Sequence, residues 1–276
     1  MNHPTALILL TLILLAAGTA RAQRIDYDVQ YGTEQAQTLD LYHPATPGPA
    51  PLIVFLHGGG WQGGDKKLGR RIAPPLVAAG YAVASLNYTL WPKVPPSGEL
   101  KSAALGIAYL LHNAAVLGLK TNQFAIMGHS SGSGMAALLG TDSAYLRNAG
   151  VDPDRLAAVV TLDGVFDVKT NLTHFPNEHS EAPFGKDQSR WVQYSPVQIM
   201  DRMAGRPRFC VVHEDVFPKY IEQAGLLEAA LRQHGKPLDT ETVHGLRHGE
   251  LAYKFPDAGE PMAPFVLACL AKAFRK

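Results

Sequence analysis

Cysteine is nearly absent, with only Cys210 and Cys269 among 276 residues. Two thiols exclude a disulfide-built scaffold. Neither they nor the 11 scattered histidines show the short-interval spacing of a zinc site, so no metal or other cofactor is expected. Excess charge of one sign is missing too. Lys plus Arg number 25 against 24 Asp plus Glu, which leaves nothing to attract nucleic acid. No Pro/Ser-rich linker, charge block or internal repeat divides the chain, and 46% hydrophobic content is enough for one large core. The apolar run Ala6 to Ala17, broken only by Thr11, falls short of the roughly 20 residues that a bilayer-spanning helix needs. It is followed by the small-x-small site Ala20-Arg21-Ala22. Residues 1–22 therefore read as a signal peptide, leaving 23–276 as one domain with a periplasmic or secreted destination and no lasting membrane anchor. Removing them takes away one charged residue, Arg21, so the formal charge goes from +1 to 0.

What is present is a regular alternation. Arg24 to Tyr31 and Thr38 to His43 alternate like strands around a polar turn, which predicts an antiparallel hairpin. Continuous apolar runs follow at Leu52 to Leu56, Tyr81 to Leu86, Phe124 to Met127, Ala157 to Leu162 and Phe209 to Val212, as in strands buried on both faces. Helical spacing separates them at Leu68 to Ala79, Gly98 to Val116, Ser130 to Leu139, Tyr220 to Gln233 and Leu251 to Phe274, the last broken by Pro256, Pro261 and Pro264. The expected class is α/β: a mostly parallel sheet with helices on both faces. Whether Cys210, in a strand, and Cys269, in the last helix, form a bridge depends on how those two elements pack, and the sequence leaves it open.

An open parallel sheet puts its chemistry at the carboxyl ends of its strands, and three of those ends are unusual. Gly128-His129-Ser130-Ser131-Gly132 follows a buried strand and opens a small-residue helix, the setting for a sharp turn that exposes a nucleophilic Ser130. After the first buried strand comes His57-Gly58-Gly59-Gly60-Trp61, whose glycines let backbone amides approach a reacting oxygen. His57 reads as a loop histidine there, and Trp61 as core packing or a wall of a substrate pocket. His248, in the segment between the last strand and the last helix, is the expected base, with His244 as its competitor.

Pro51 to Lys66, PLIVFLHGGGWQGGDK, together with GHSSG, resembles the compact esterases related to hormone-sensitive lipase. The likeness is greatest to the bacterial branch of bifunctional feruloyl and acetyl-xylan esterases, related to kynurenine formamidases, and it covers nearly the whole mature chain. The resemblance implies an α/β-hydrolase fold with a small cap or none. It implies Ser130 as nucleophile, His248 as base, and Gly59, Gly60 and Ser131 as oxyanion-hole amides. Such enzymes usually carry an aspartate shortly after the strand that here is Phe209 to Val212, often as H-G-x-x-D. This chain instead reads His213-Glu214-Asp215-Val216-Phe217-Pro218. Asp215 is the expected acid, with Glu214, Asp163 and Asp167 as alternatives. The expected partner is a small-molecule ester, with Trp61 at its pocket and Lys169 to Arg190 as a small lid or rim. An arylformamidase and a catalytically inactive binding domain are the competing readings, and the oligomeric state is left open.

Overall fold

The computed structural model describes residues 24–274. The expected signal segment lies outside them. Eight strands form one sheet: β1 (Ile25–Gln30), β2 (Thr38–Tyr42), β3 (Ala50–Leu56), β4 (Ala82–Leu86), β5 (Leu119–His129), β6 (Leu156–Leu162), β7 (Arg208–Glu214) and β8 (Leu238–Val243). Their order is β1-β2-β4-β3-β5-β6-β7-β8. The hairpin β1/β2 is antiparallel and joins β4 antiparallel, while every pairing from β4 to β8 is parallel. This is the α/β-hydrolase architecture that the sequence implies.

The continuous apolar runs are explained by two cores. Along β3, Leu52, Val54 and Leu56 enter one buried cluster while Ile53 and Phe55 enter another. The first cluster is closed by helices Pro96–His112, Ser131–Thr141 and Pro218–Gln233, the second by Gly69–Ala78 and Met262–Ala273. The prolines end the C-terminal helical pattern as expected, leaving a short helix Glu250–Tyr253 and the separate Met262–Ala273. Cys210 of β7 and Cys269 of that last helix are bridged, with their Cα atoms 6.1 Å apart. Among the described residues, no helix is long and apolar enough to cross a membrane. Because β3 and β5 to β8 run parallel, the loops that follow them gather at one edge of the sheet.

Candidate active site

Local sterics put Ser130 at that edge. Its backbone has φ 58°, a conformation costly for a non-glycine residue, and the two flanking glycines make the turn feasible. A Cβ on Gly128 would stand 2.1 Å from the Gly132 carbonyl oxygen, and one on Gly132 would stand 2.2 Å from that of Leu56. The turn is tied to its neighbour: the Ser130 amide donates to Leu162 O at 3.1 Å, and the Ser133 hydroxyl donates to Gly128 O at 2.7 Å.

His248 reaches the serine. Its Nε2 lies 2.8 Å from Ser130 Oγ, and its Nδ1 lies 2.9 Å from Oδ2 of Asp163. Asp163 is the first residue after β6 and is 1% exposed. Its Oδ1 accepts the Glu214 amide at 3.0 Å, and its own amide donates to Val212 O at 2.9 Å, so β7 fixes it through both groups. Burial pushes the Asp163 carboxyl up to about 7, with the Glu214 amide opposing it only in part. Burial and the nearby Lys219 ammonium push His248 down, which keeps the imidazole neutral at pH 7.

The expectation for Asp215 is corrected. Its carboxylate accepts from His244 Nδ1 at 2.6 Å and from the Gly245 amide at 3.0 Å, on the exposed side of the loop that leads to His248. The shortened segment after β7 leaves it turned outward. Glu214, one residue earlier, folds back to accept the Val216 and Phe217 amides. Asp167 caps the helix Val168–His174 through the Thr170 amide and receives Gln198 Nε2 at 2.7 Å. Of the four carboxylates, only Asp163 is hydrogen-bonded to the imidazole.

Two cavities meet at Ser130. The larger, about 610 Å³, is an open cleft that includes His57, Gly59, Gly60, His129, Ser130 and His248 in its walls. The smaller, about 60 Å³, is walled by Gly60, Trp61, Ser131, Val165, Phe184 and Tyr220 beside Ser130. Gly60 faces both, so the glycine loop and the Ser131 end of the turn converge on the serine. Trp61 is buried and also borders the small cavity, its ring meeting Phe184 edge-on at 5.7 Å. The Lys169 to Arg190 segment contributes Asn171, Ser180 and Phe184 to that cavity and is pinned by Gln62 Nε2 donating to His179 O at 2.6 Å. His57 is buried and stacked on Tyr88, whose hydroxyl donates to His57 O at 2.7 Å. It holds the glycine loop, in keeping with its reading as a loop histidine.

The sequence did not single out His129 and Tyr220. Both rings stack against His248, with centroids 4.8 and 4.0 Å away, and His129 Nε2 donates to His248 O at 2.9 Å. His129 could have been noticed inside GHSSG. Nothing in the local pattern around Tyr220 signals its place.

The BD-FAE family model matches residues 39–220, a stretch that holds Ser130 and Asp163 and ends before His248. Kynurenine formamidase of Danio rerio is 24% identical over 268 residues, 94% of this chain and 87% of that protein. The probable isoprenylcysteine alpha-carbonyl methylesterase ICME of Oryza sativa subsp. japonica is 28% identical over 182 residues, 62% of this chain and 44% of its own length. The chain therefore spans less than half of that relative. Among solved structures, the truncated form of a carbohydrate esterase from gut microbiota shares the fold with a TM-score of 0.79 at 19% identity, covering 93% of this chain and 98% of that one. Two-thirds of the chain falls within one family model, on the fold that family uses: the chain belongs to the BD-FAE family of α/β-hydrolases.

Proposed function

We propose that the protein is a serine hydrolase that cleaves small carboxylic esters through an acyl-enzyme, with Ser130 as nucleophile, His248 as base and Asp163 as the acid. The observation that carries this is the continuous line from Ser130 Oγ to His248 Nε2, and from His248 Nδ1 to Asp163 Oδ2, at 2.8 and 2.9 Å. His248 takes the Ser130 proton as the hydroxyl attacks the ester carbonyl. Asp163 holds the ring in the Nδ1–H tautomer and stabilises the imidazolium. The amides of Gly59, Gly60 and Ser131 receive the oxyanion, each such donor being worth on the order of 10²–10³-fold in rate. His248 then protonates the departing alcohol, and water releases the acyl group by the same steps in reverse.

The two cavities divide the substrate. The departing group must lie on the side of the imidazole that protonates it, and His248 lines the open cleft but not the small cavity. The acyl group therefore enters the small cavity against Trp61. At about 60 Å³, against about 610 Å³ for the open cleft, this cavity favours formyl or acetyl over feruloyl. A formyl group fits equally well, so hydrolysis of an aryl formamide is the second reading. An exported location belongs to the same proposal and rests on the signal-like segment and the Cys210–Cys269 bridge, since disulfides persist in oxidising compartments.

Ser130→Ala is expected to lower kcat/KM for 4-nitrophenyl acetate by about 10⁴-fold or more at unchanged melting temperature. Asp163→Asn should cost about 10⁴-fold in kcat, while Asp215→Asn stays near wild type. Acetyl, butyryl and feruloyl esters compared with N-formylkynurenine then rank the acyl and leaving groups. Retained turnover in Ser130→Ala would rule out Ser130 as the nucleophile, and a failure of a fluorophosphonate probe to label Ser130 would favour a domain that binds without catalysis.

A further inference from the structure

The cleft that receives the departing group carries a charge pattern that ester hydrolysis does not itself require. Lys66-Lys67-Leu68-Gly69-Arg70-Arg71 places four cations in six positions, in a chain whose basic and acidic residues otherwise nearly balance. One of the four is accounted for. Lys66 is buried, and its ammonium lies between the carboxylates of Asp40 and Asp28, 2.7 Å from the latter. The other three, Lys67, Arg70 and Arg71, line the same 610 Å³ cleft as Ser130 and His248.

None of those three has a carboxylate within ion-pair distance among the described residues, in contrast to Lys66 beside them. Arg70 rests over the Tyr27 ring at 5.7 Å. The cleft wall holds one carboxylate, Asp65, and its Oδ1 is already taken by the Lys67 amide at 2.8 Å. Asp28 also lies within electrostatic reach of Lys67 and Arg70, so the four cations outnumber Asp28, Asp40 and Asp65 by one, a surplus of one positive charge at the mouth. A concave, partly apolar wall focuses such a field and raises the local concentration of anions.

We propose that the cleft recognises esters whose alcohol or phenol portion carries a carboxylate, with Lys67, Arg70 and Arg71 as the residues that set this preference. This rests on the hydrolase reading above and specifies its leaving group. The argument is directional: His248 shares the cleft with the three cations, so the charge they attract belongs to the part of the substrate that leaves. The acyl portion lies in the other cavity. Lys219 borders that cavity, and a test with one fixed acyl group holds its influence constant.

The test compares 4-acetoxyphenylacetate with its neutral analogue 4-acetoxyphenylacetamide on the full chain. The acyl group is identical, and the methylene keeps the two phenols close in intrinsic reactivity. At low ionic strength the anionic ester should have a kcat/KM about tenfold higher, carried by KM, and the ratio should shrink as salt screens the field. In the triple variant Lys67→Gln, Arg70→Gln, Arg71→Gln the ratio should fall to near one. Both esters are read on the same preparation, so any misfolded fraction cancels, and Arg71→Glu alone should lower the ratio as a second variant. A wild-type ratio of one or below, or a ratio that survives the triple substitution, overturns the proposal while leaving the hydrolase reading intact. Cleavage of neither ester by protein whose Ser130 still takes a fluorophosphonate also overturns this proposal alone. With no labelling either, the hydrolase reading falls and takes the proposal with it.

Discussion

The imidazole of His248 shows how far single residues are controlled by groups distant in sequence. Tyr220 and His129 stack on it, Asp163 receives its Nδ1–H, and it is mostly removed from water. Burial, reinforced by the Lys219 ammonium, lowers its pKa below the ordinary 6.5. In the proposed mechanism only the neutral ring accepts the serine proton, so activity should be lost as pH falls through this lowered value, not through 6.5. The acid limb that His248 sets in kcat/KM for a neutral ester should therefore lie below pH 6.5. Lys219→Gln should move that limb upward, because one repulsive cation is gone. A wild-type limb at or above pH 6.5 would contradict the burial argument. Ser130 and His248 were legible in the sequence because their positions follow from local demands, a glycine-flanked turn after a buried strand and a loop before the last helix. Asp163 was readable only as one of four carboxylates. The direction of a side chain at a strand end is set by the neighbouring strand, here by the Glu214 and Val212 backbone of β7, and no spacing rule records that contact.

The elements themselves were legible where one physical rule dominates. A strand covered on both faces must be apolar at every position, and β3, β4, β6 and β7 satisfy that rule through most of their length. No such rule announces Glu99 in helix Pro96–His112, where a charged residue is ordinarily placed in water. It is instead 0% exposed, with Oε1 accepting the Trp91 amide at 3.2 Å. Burial pushes its carboxyl up to about 9 from the ordinary 4.5, so it is neutral at pH 7. Between those two values the unfolded chain releases a proton that the folded chain keeps, and stability therefore falls as pH rises through the window. Glu99→Gln retains the acceptor for Trp91 and removes the titration. Its melting temperature should gain on wild type steadily from pH 5 to pH 8, measured by calorimetry or circular dichroism. Parallel curves for the two proteins would show that Glu99 is ionised in the folded state.

At the scale of the whole molecule, the sheet brings five loop regions to one edge, and the C-terminal half must be held against it for His248 to reach Ser130. The Cys210–Cys269 bridge spans a sequence separation of 59 residues, within which Lys219, Tyr220 and His248 all lie. Sequence left this pairing open because it depends on the packing of helix Met262–Ala273 against β7, which two distant cysteines cannot reveal. Closing a loop of this length removes unfolded-state entropy worth about 4 kcal/mol, if the folded geometry is unstrained. For a chain of this size that corresponds to a melting temperature lowered by roughly 10 °C on reduction. The folded state itself changes little, because both sulfurs are enclosed in the core between β7 and the last helix. Esterase activity at 25 °C should therefore survive reduction, while heat inactivation sets in at a correspondingly lower temperature. The measurement is a melting curve on protein whose two free thiols have been titrated, beside an oxidised control. An unchanged melting temperature with both thiols free would mean that packing alone holds the His248 segment in place and that the bridge adds no constraint.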